Sequence, residues 1–214
     1  TRQQEAWRLT DLSALQAIAW QRPGDAPVDT GILPTLDKTP THRLVFVNGR
    51  FAPGLSRLRD LRGKTLIASL GQALLTHPEL IEPHLDRLPG LQQHPFAALN
   101  MAFWEDGAFI HLPQGTALET PIHLIFQMIG DHLAVHPRLL MVMEANTQAT
   151  VVVEYGGQGS YLNGAVAELA VGEGAVLNYY QIQEEAPGAF HLSSIRLRQE
   201  RASQANLHLI ALGG

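Results

Sequence analysis

Apolar and polar positions alternate through the C-terminal half in a phrase that keeps returning. TPIHLIFQM (Thr120–Met128), ATVVVEY (Ala149–Tyr155), AVLNYYQ (Ala175–Gln181) and ANLHLIAL (Ala205–Leu212) each follow a turn made of small residues. Their reference positions Pro121, Ala149, Ala175 and Ala205 lie 28, 26 and 30 residues apart. Within one phrase, Val151 and Val153 share a strand face, and Thr150, Val152 and Glu154 share the other. Tyr179 and Tyr180 are expected to split between the two faces. A recurrence of this length, built from strands and turns, predicts stacked coils rather than a closed sandwich. A coil covers its apolar face only with the next coil. The last strand, ending at Leu212-Gly213-Gly214, is therefore expected to present an open edge that favours self-association.

The N-terminal half carries other patterns. Gln3–Trp20 places Leu9, Leu12, Leu15 and Ile18 at helical spacing and stops before Pro23-Gly24. Gln21–Pro40 is proline-rich and reads as irregular. His42–Phe51 alternates around Asn48-Gly49, a hairpin signal because both turn positions favour positive φ. Leu66–Leu91 predicts short helices punctuated by Pro78, Pro83 and Pro89. Phe96–Glu105 predicts a further helix with Phe96, Leu99 and Phe103 on one side. Ala108–Leu112 is a short strand. Turns are expected at Gly130-Asp131, Asn146, Gly156-Gly157, Gly172–Gly174 and Pro187-Gly188.

Composition narrows the class. The chain has 214 residues, 45% apolar and 16% charged, with a net charge of −5. That suits a large buried core and argues against disorder. Only Lys38 and Lys64 are lysines, and no basic cluster points to nucleic acid. No run approaches the roughly 20 apolar residues of a membrane-spanning helix. The sequence contains no cysteine, so it supplies no thiolate to a metal cluster and no disulfide. It opens at Thr1 without an initiator methionine, as expected of a fragment or a trimmed chain.

Candidate chemistry is sparse. His77, His94 and His136 each precede a proline and read as loop histidines. His111 shares a strand face with Phe109, and His123 with Ile125. A metal site using His111, His123, His132 or Glu144 would need three or four converging ligands, and no H-x-H or H-E-x-x-H pair announces one. Gly63-Lys64-Thr65 resembles the end of a P-loop, but Leu58 stands where that loop needs glycine. Gly156-Gly157-Gln158-Gly159 leads to another strand instead of a helix, so it reads as a turn and not a dinucleotide site. Ser160, Ser193 and Ser194 sit in no nucleophile elbow. Glu154 and Glu168 would form an acid–base pair only if they converged; outward carboxylates on strands are the simpler reading. Glu184-Glu185 reads as a solvated turn.

The run PFAALNMAFWEDGAFIHLPQGTALETPIHLIF (Pro95–Phe126) resembles the SufD family of iron–sulfur cluster assembly proteins. The matching phrases are Asn100–Gly107, Ile110–Gly115 and Pro121–Leu124. Tyr161–Val166, Leu177–Glu184 and the opening Glu5–Leu12 are similar to the family as well. That opening and the missing cysteines favour SufD over its paralogue SufB. The resemblance implies a helical N-terminal part, a right-handed parallel β-helix and a C-terminal helical part. It also implies pairing with SufB, binding of the ATPase SufC through C-terminal parts, and sulfur delivered by a cysteine desulfurase relay. SufD is linked to iron supply and to the geometry of the complex. The family's histidine in a C-S-H-G-A-T-like motif has no counterpart here, so no functional residue carries over.

The expected fold is thus mainly β: a partial right-handed parallel β-helix over 96–214, preceded by a small, mostly helical region over 1–95. The expected function is a scaffold subunit without catalysis, cofactor or metal of its own, in the bacterial cytoplasm. A cupin-like metal-binding β module and a β-helix enzyme acting on polysaccharide are the alternatives.

Overall fold

The recurring phrases lie side by side in one sheet. The computed structural model describes residues 11–24, 41–59, 61, 63–87 and 94–213. Its elements are α1 (Ser13–Gln16), β1 (His42–Val47), β2 (Arg50–Phe51), β3 (Leu66–Ser69), α2 (Leu70–Thr76), α3 (Pro78–Ile81), α4 (Pro95–Phe103), β4 (Gly107–Leu112), β5 (Ile122–Ile129), β6 (Leu133–Val135), β7 (Arg138–Met143), β8 (Gln148–Gln158), β9 (Tyr161–Val171), β10 (Val176–Glu184), β11 (Phe190–Gln199) and β12 (Gln204–Ala211). One sheet runs β12-β10-β8-β5-β1-β2, the other β11-β9-β7-β4-β3, with β6 beside β9. Among the strands of the described residues, only the β1/β2 and β3/β4 pairs are antiparallel. The chain alternates between the sheets, passing from β4 to β5, β7 to β8, β9 to β10 and β11 to β12. The result is a parallel β-solenoid of about four turns.

Register explains the recurrence. Ile122, Val151, Tyr179 and Leu207 are direct partners on successive strands, 29, 28 and 28 residues apart. Each row points inward and meets the row from the other sheet. Leu124, Phe126, Val151, Val153, Leu177 and Tyr179 face Ile110, Met141, Ala167 and Leu169 in one continuous core. Phe46, Phe126 and Tyr155 stack up its length, with ring centroids 4.8 and 5.3 Å apart. Burial of each such side chain contributes about 1.5–3 kcal/mol.

The corners repeat too. Gly115, Asn146, Gly174 and Ala202 all adopt positive φ, at 76°, 57°, 65° and 56°. The N–H groups of Gly115, Asn146 and Gly174 donate to the carbonyls of Ala145, Glu173 and Arg201, at 3.0, 2.8 and 3.1 Å. The first three corners are therefore each hydrogen-bonded to the corner of the next coil.

The two outer faces differ. Helices α2 and α3 place Leu70, Ala73 and Ile81 over Phe109, Leu140 and Val142, and α4 seats Ala97 on Val166. On the other sheet, Ala52 and Leu55 cover Val45, Val47 and Ile125. Asp106 fixes the start of α2 by accepting from Ser69 Oγ and from the Gly71 N–H. The β1–β2 hairpin turns at Asn48 (φ 50°) and Gly49 (φ 79°) as its sequence predicts. The Asn48 amide then bonds Ile129 in both directions, at 3.0 and 2.8 Å.

Several expectations are corrected. Of the Gln3–Trp20 helix, residues up to 10 lie outside the described residues, and only Ser13–Gln16 is helical among the rest. The Trp20 indole folds back to donate to the Leu15 carbonyl at 2.8 Å and packs edge-on to Phe190. Of Gln21–Pro40, residues 25–40 lie outside the described residues; Gln21 bridges to Leu133. The Leu66–Leu91 stretch opens with strand β3, because Leu66–Ser69 pairs with Ala108–His111; its residues 88–91 lie outside. Helix α4 buries Ala97 and Asn100, whereas Phe103 is exposed. Gly156 and Gly157 belong to β8 and not to a turn: a Cβ on Gly157 would stand 2.1 Å from the Met128 carbonyl oxygen.

Candidate functional site

The polar side chains buried in this solenoid form separate groups, each at a different place in the coil. On the helix-covered sheet, Arg138 opens the otherwise apolar strand β7, and its guanidinium is completely buried. It donates to the Glu168 and Asp86 carboxylates and, at 3.2 Å, to Asn100 Oδ1. The Asn100 amide donates to the carbonyls of Pro137 and Gly164, at 2.9 and 2.7 Å. Glu168 also accepts the Asp86 N–H at 3.3 Å. Burial pushes the Glu168 carboxyl above the usual carboxylate range, against the pull of Arg138. This network ties the residue-86 segment and α4 to two strands. Glu168 is thus not the outward carboxylate that simple strand alternation suggests. Glu154 lies in the other sheet, so the two do not form an acid–base pair.

A second group lines a cleft of about 220 Å³ at the C-terminal ends of β4, β7, β9 and β11. His111 and Glu144 meet there at 3.0 Å. Glu144 also accepts the Gln114 N–H at 2.9 Å, and this bond chiefly holds its carboxyl below the usual range. His84, Glu79, Arg198 and Glu200 complete the charged lining.

A third group lies inside the solenoid. Asn163 and His191 are register partners on β9 and β11, and both meet Glu185. Asn163 Nδ2 donates to Glu185 Oε1 at 2.9 Å, and His191 Nδ1 stands 2.9 Å from Oε2. Tyr155 lies 5.0 Å from the His191 ring. Burial pushes the phenols of Tyr155, Tyr161 and Tyr179 up. Glu185 is buried, not part of a solvated turn as its neighbour Pro187-Gly188 suggests. No sequence signal distinguishes it; its burial follows from the inward row that Asn163 and His191 occupy.

The strand histidines do not converge. His123 pairs with Glu154 at 3.0 Å on the other sheet, in a row that continues through Val152 and Tyr180 to His208. Tyr180 and His208 stack at 4.8 Å. His132 is a turn residue with φ 57°. His136, read as a loop histidine, is buried, and its burial lowers its affinity for a proton. Among the described residues, no three His, Asp or Glu side chains are grouped to hold a metal ion. Gly63-Lys64 forms a turn leading into strand β3, so no helix N-terminus faces a phosphate there. Gly156-Gly157 lies within strand β8.

These groups define a β-solenoid whose buried polar residues brace one coil against another, and comparison with known proteins assigns the lineage. Residues 1–124 match the SufBD protein N-terminal region, and residues 126–214 match the SUF system FeS cluster assembly SufBD core domain. The chain belongs to the SufBD family of the SUF iron–sulfur cluster assembly system. It is 31% identical to an iron–sulfur cluster assembly SufBD family protein of Synechocystis, over 98% of this chain and 49% of the relative. A chloroplastic SufBD family protein of Arabidopsis thaliana is 30% identical over 55% of the chain and 22% of the relative. The iron–sulfur cluster assembly protein SufB of Bacillus subtilis is 28% identical over 58% and 27%. The chain therefore spans about half the length of the Synechocystis relative and less of the others. No helix among the described residues is long and apolar enough to cross a membrane.

Proposed function

We propose that this chain is the SufD-type part of a SUF assembly complex and acts as a scaffold without catalysis of its own. The observation that carries this reading is the serial match of both SufBD regions along one chain. The parallel solenoid supports it, because a stack of coils offers long, regular surfaces to protein partners. On this reading a SufB-like paralogue docks through the solenoid. The ATPase SufC binds a C-terminal region that follows in the longer protein. Iron and sulfur are cargo assembled transiently on the whole complex, with no resident cofactor on this chain. The site of action is the bacterial cytoplasm. The working division is 1–95 for the N-terminal region, which adds β1, β2 and β3 to the two sheets, and 96–214 for the first coils.

Co-expression of the full-length protein with the SufB-type and SufC-type subunits of its own organism tests this reading. Recovery of a stoichiometric complex that supports cluster transfer to an apo-ferredoxin is expected. Full-length protein that stays apart from both subunits, or that turns over ATP by itself, would overturn it.

A further inference from the structure

The cleft at the ends of β4, β7, β9 and β11 contains an arrangement that the clamp role of the other buried groups does not explain. Two imidazoles, His84 and His111, each bury an Nδ1 that has no hydrogen-bond partner. His111 comes from strand β4. His84 comes from the segment that follows α3 and lies across the outer face of the sheet. That segment is held by a small set of contacts. Ile81, Leu80 and Leu85 pack on Phe109, Leu140 and Val142, and Asp86 engages Arg138 and the Glu168 carboxylate.

The charged groups facing His84 come from every element around it. His111 stands on β4, Glu144 follows β7, Arg198 and Glu200 belong to β11 and its corner, and Glu79 is on α3 itself. Glu144 already engages His111 and the Gln114 N–H. Arg198 Nε lies 3.5 Å from Glu200. A proton on His84 would share a confined space with a guanidinium and a second imidazole, while two of the three carboxylates there, Glu144 and Glu200, already have partners and Glu79 sits on the same segment.

We propose that the segment Pro78–Arg87 is an acid-released latch, with His84 as its proton sensor, whose opening bares the apolar face formed by Phe109, Leu140 and Val142. Burial, the Arg198 charge and His111 all lower the proton affinity of His84 in the closed state. A released histidine titrates near 6.5. The open form thus binds more protons, and opening is favoured as pH falls below about 6.5. It levels off below the closed-state value. Above that range the imidazole is neutral in both forms and the latch stays shut.

Hydrogen exchange of the 214-residue chain at pH 7.5, 6.5 and 5.5, corrected for intrinsic exchange, tests the latch. Amides of 79–82 and 84–87 should lose protection on acidification, by up to about tenfold per pH unit for one linked proton, while β7 and β9 keep theirs. His84→Gln should flatten this dependence, and His84→Lys should leave the segment open at pH 7.5. Three results would each overturn the latch: protection of 78–87 that ignores pH, a dependence that survives in His84→Gln, and a loss shared equally by β7 and β9. Circular dichroism of both variants establishes that the solenoid has formed; His84→Lys with a protected segment at pH 7.5 would also count against it.

Discussion

Arg138 and Glu168 face each other from neighbouring strands, and neither side chain reaches solvent. A buried pair of this kind is weak evidence of net stabilisation, because both charges lose their hydration. Its removal in halves is another matter. Glu168→Leu leaves the guanidinium with Asp86 as its remaining carboxylate and should destabilise the chain by about 3–5 kcal/mol. Arg138→Met combined with Glu168→Leu should recover most of that loss. Urea denaturation of the two single variants and the double variant measures the coupling; additive effects would show that the pair acts independently.

A second expectation concerns acid. His136 is buried, and burial lowers its proton affinity in the folded state. The unfolded chain then binds more protons below about pH 6.5. Stability should therefore fall as pH drops through that value and recover as it rises. His136→Gln should reduce the slope between pH 7 and 5.5 without reversing it. Denaturation midpoints across this range supply the measurement. An unchanged slope would assign the dependence to other groups, of which His42 is also shifted downward by its burial and by Arg59.

The corner residue Ala202 has φ 56°, where Gly115 and Gly174 carry no side chain. A left-handed conformation costs an L-residue about 1–2 kcal/mol. Glycine relieves this but adds freedom to the unfolded chain. Ala202→Gly should raise stability by about 0.5–1 kcal/mol. Gly174→Ala should do the opposite by a larger margin, since its Cβ would approach Asn146 Oδ1 to 2.6 Å. Thermal denaturation of both variants distinguishes the two directions.

The outermost strand β12 exposes Leu209 and Ile210, and Leu212 follows it. Its outer edge has no strand partner among the described residues. The 214-residue chain in isolation should therefore associate with itself as concentration rises. Ile210→Lys should shift it toward monomer. Light scattering coupled to size exclusion reports this directly, and a strictly monomeric chain at high concentration would refute it.

One strand per coil is legible in the sequence because its inward row is bulky and its outward row mixed: Val151 and Val153 against Thr150 and Glu154. The partner sheet hides itself. Strand β9 is buried on both faces, so its polar residues Asn163 and Glu168 do not mark a solvent side. Alternation then fails as a guide, and a glutamate that reads as surface becomes the partner of a buried arginine. The Asn48-Gly49 hairpin is readable because its turn chemistry is local. Helix α4 is misread on its facing side because Asn100 is drawn inward by two carbonyls and Arg138, a contact made 38 residues away. The cleft histidines come together only through the path of the chain after α3, which no spacing rule records.

The repeated register also governs how the molecule yields to force. Each coil touches chiefly the coils beside it, so tension applied along the stack concentrates at the terminal one. That coil peels off with its row of backbone hydrogen bonds, and the next then takes the load unchanged. Extension should advance in equal steps of about 28 residues, each releasing roughly 90–100 Å of slack chain.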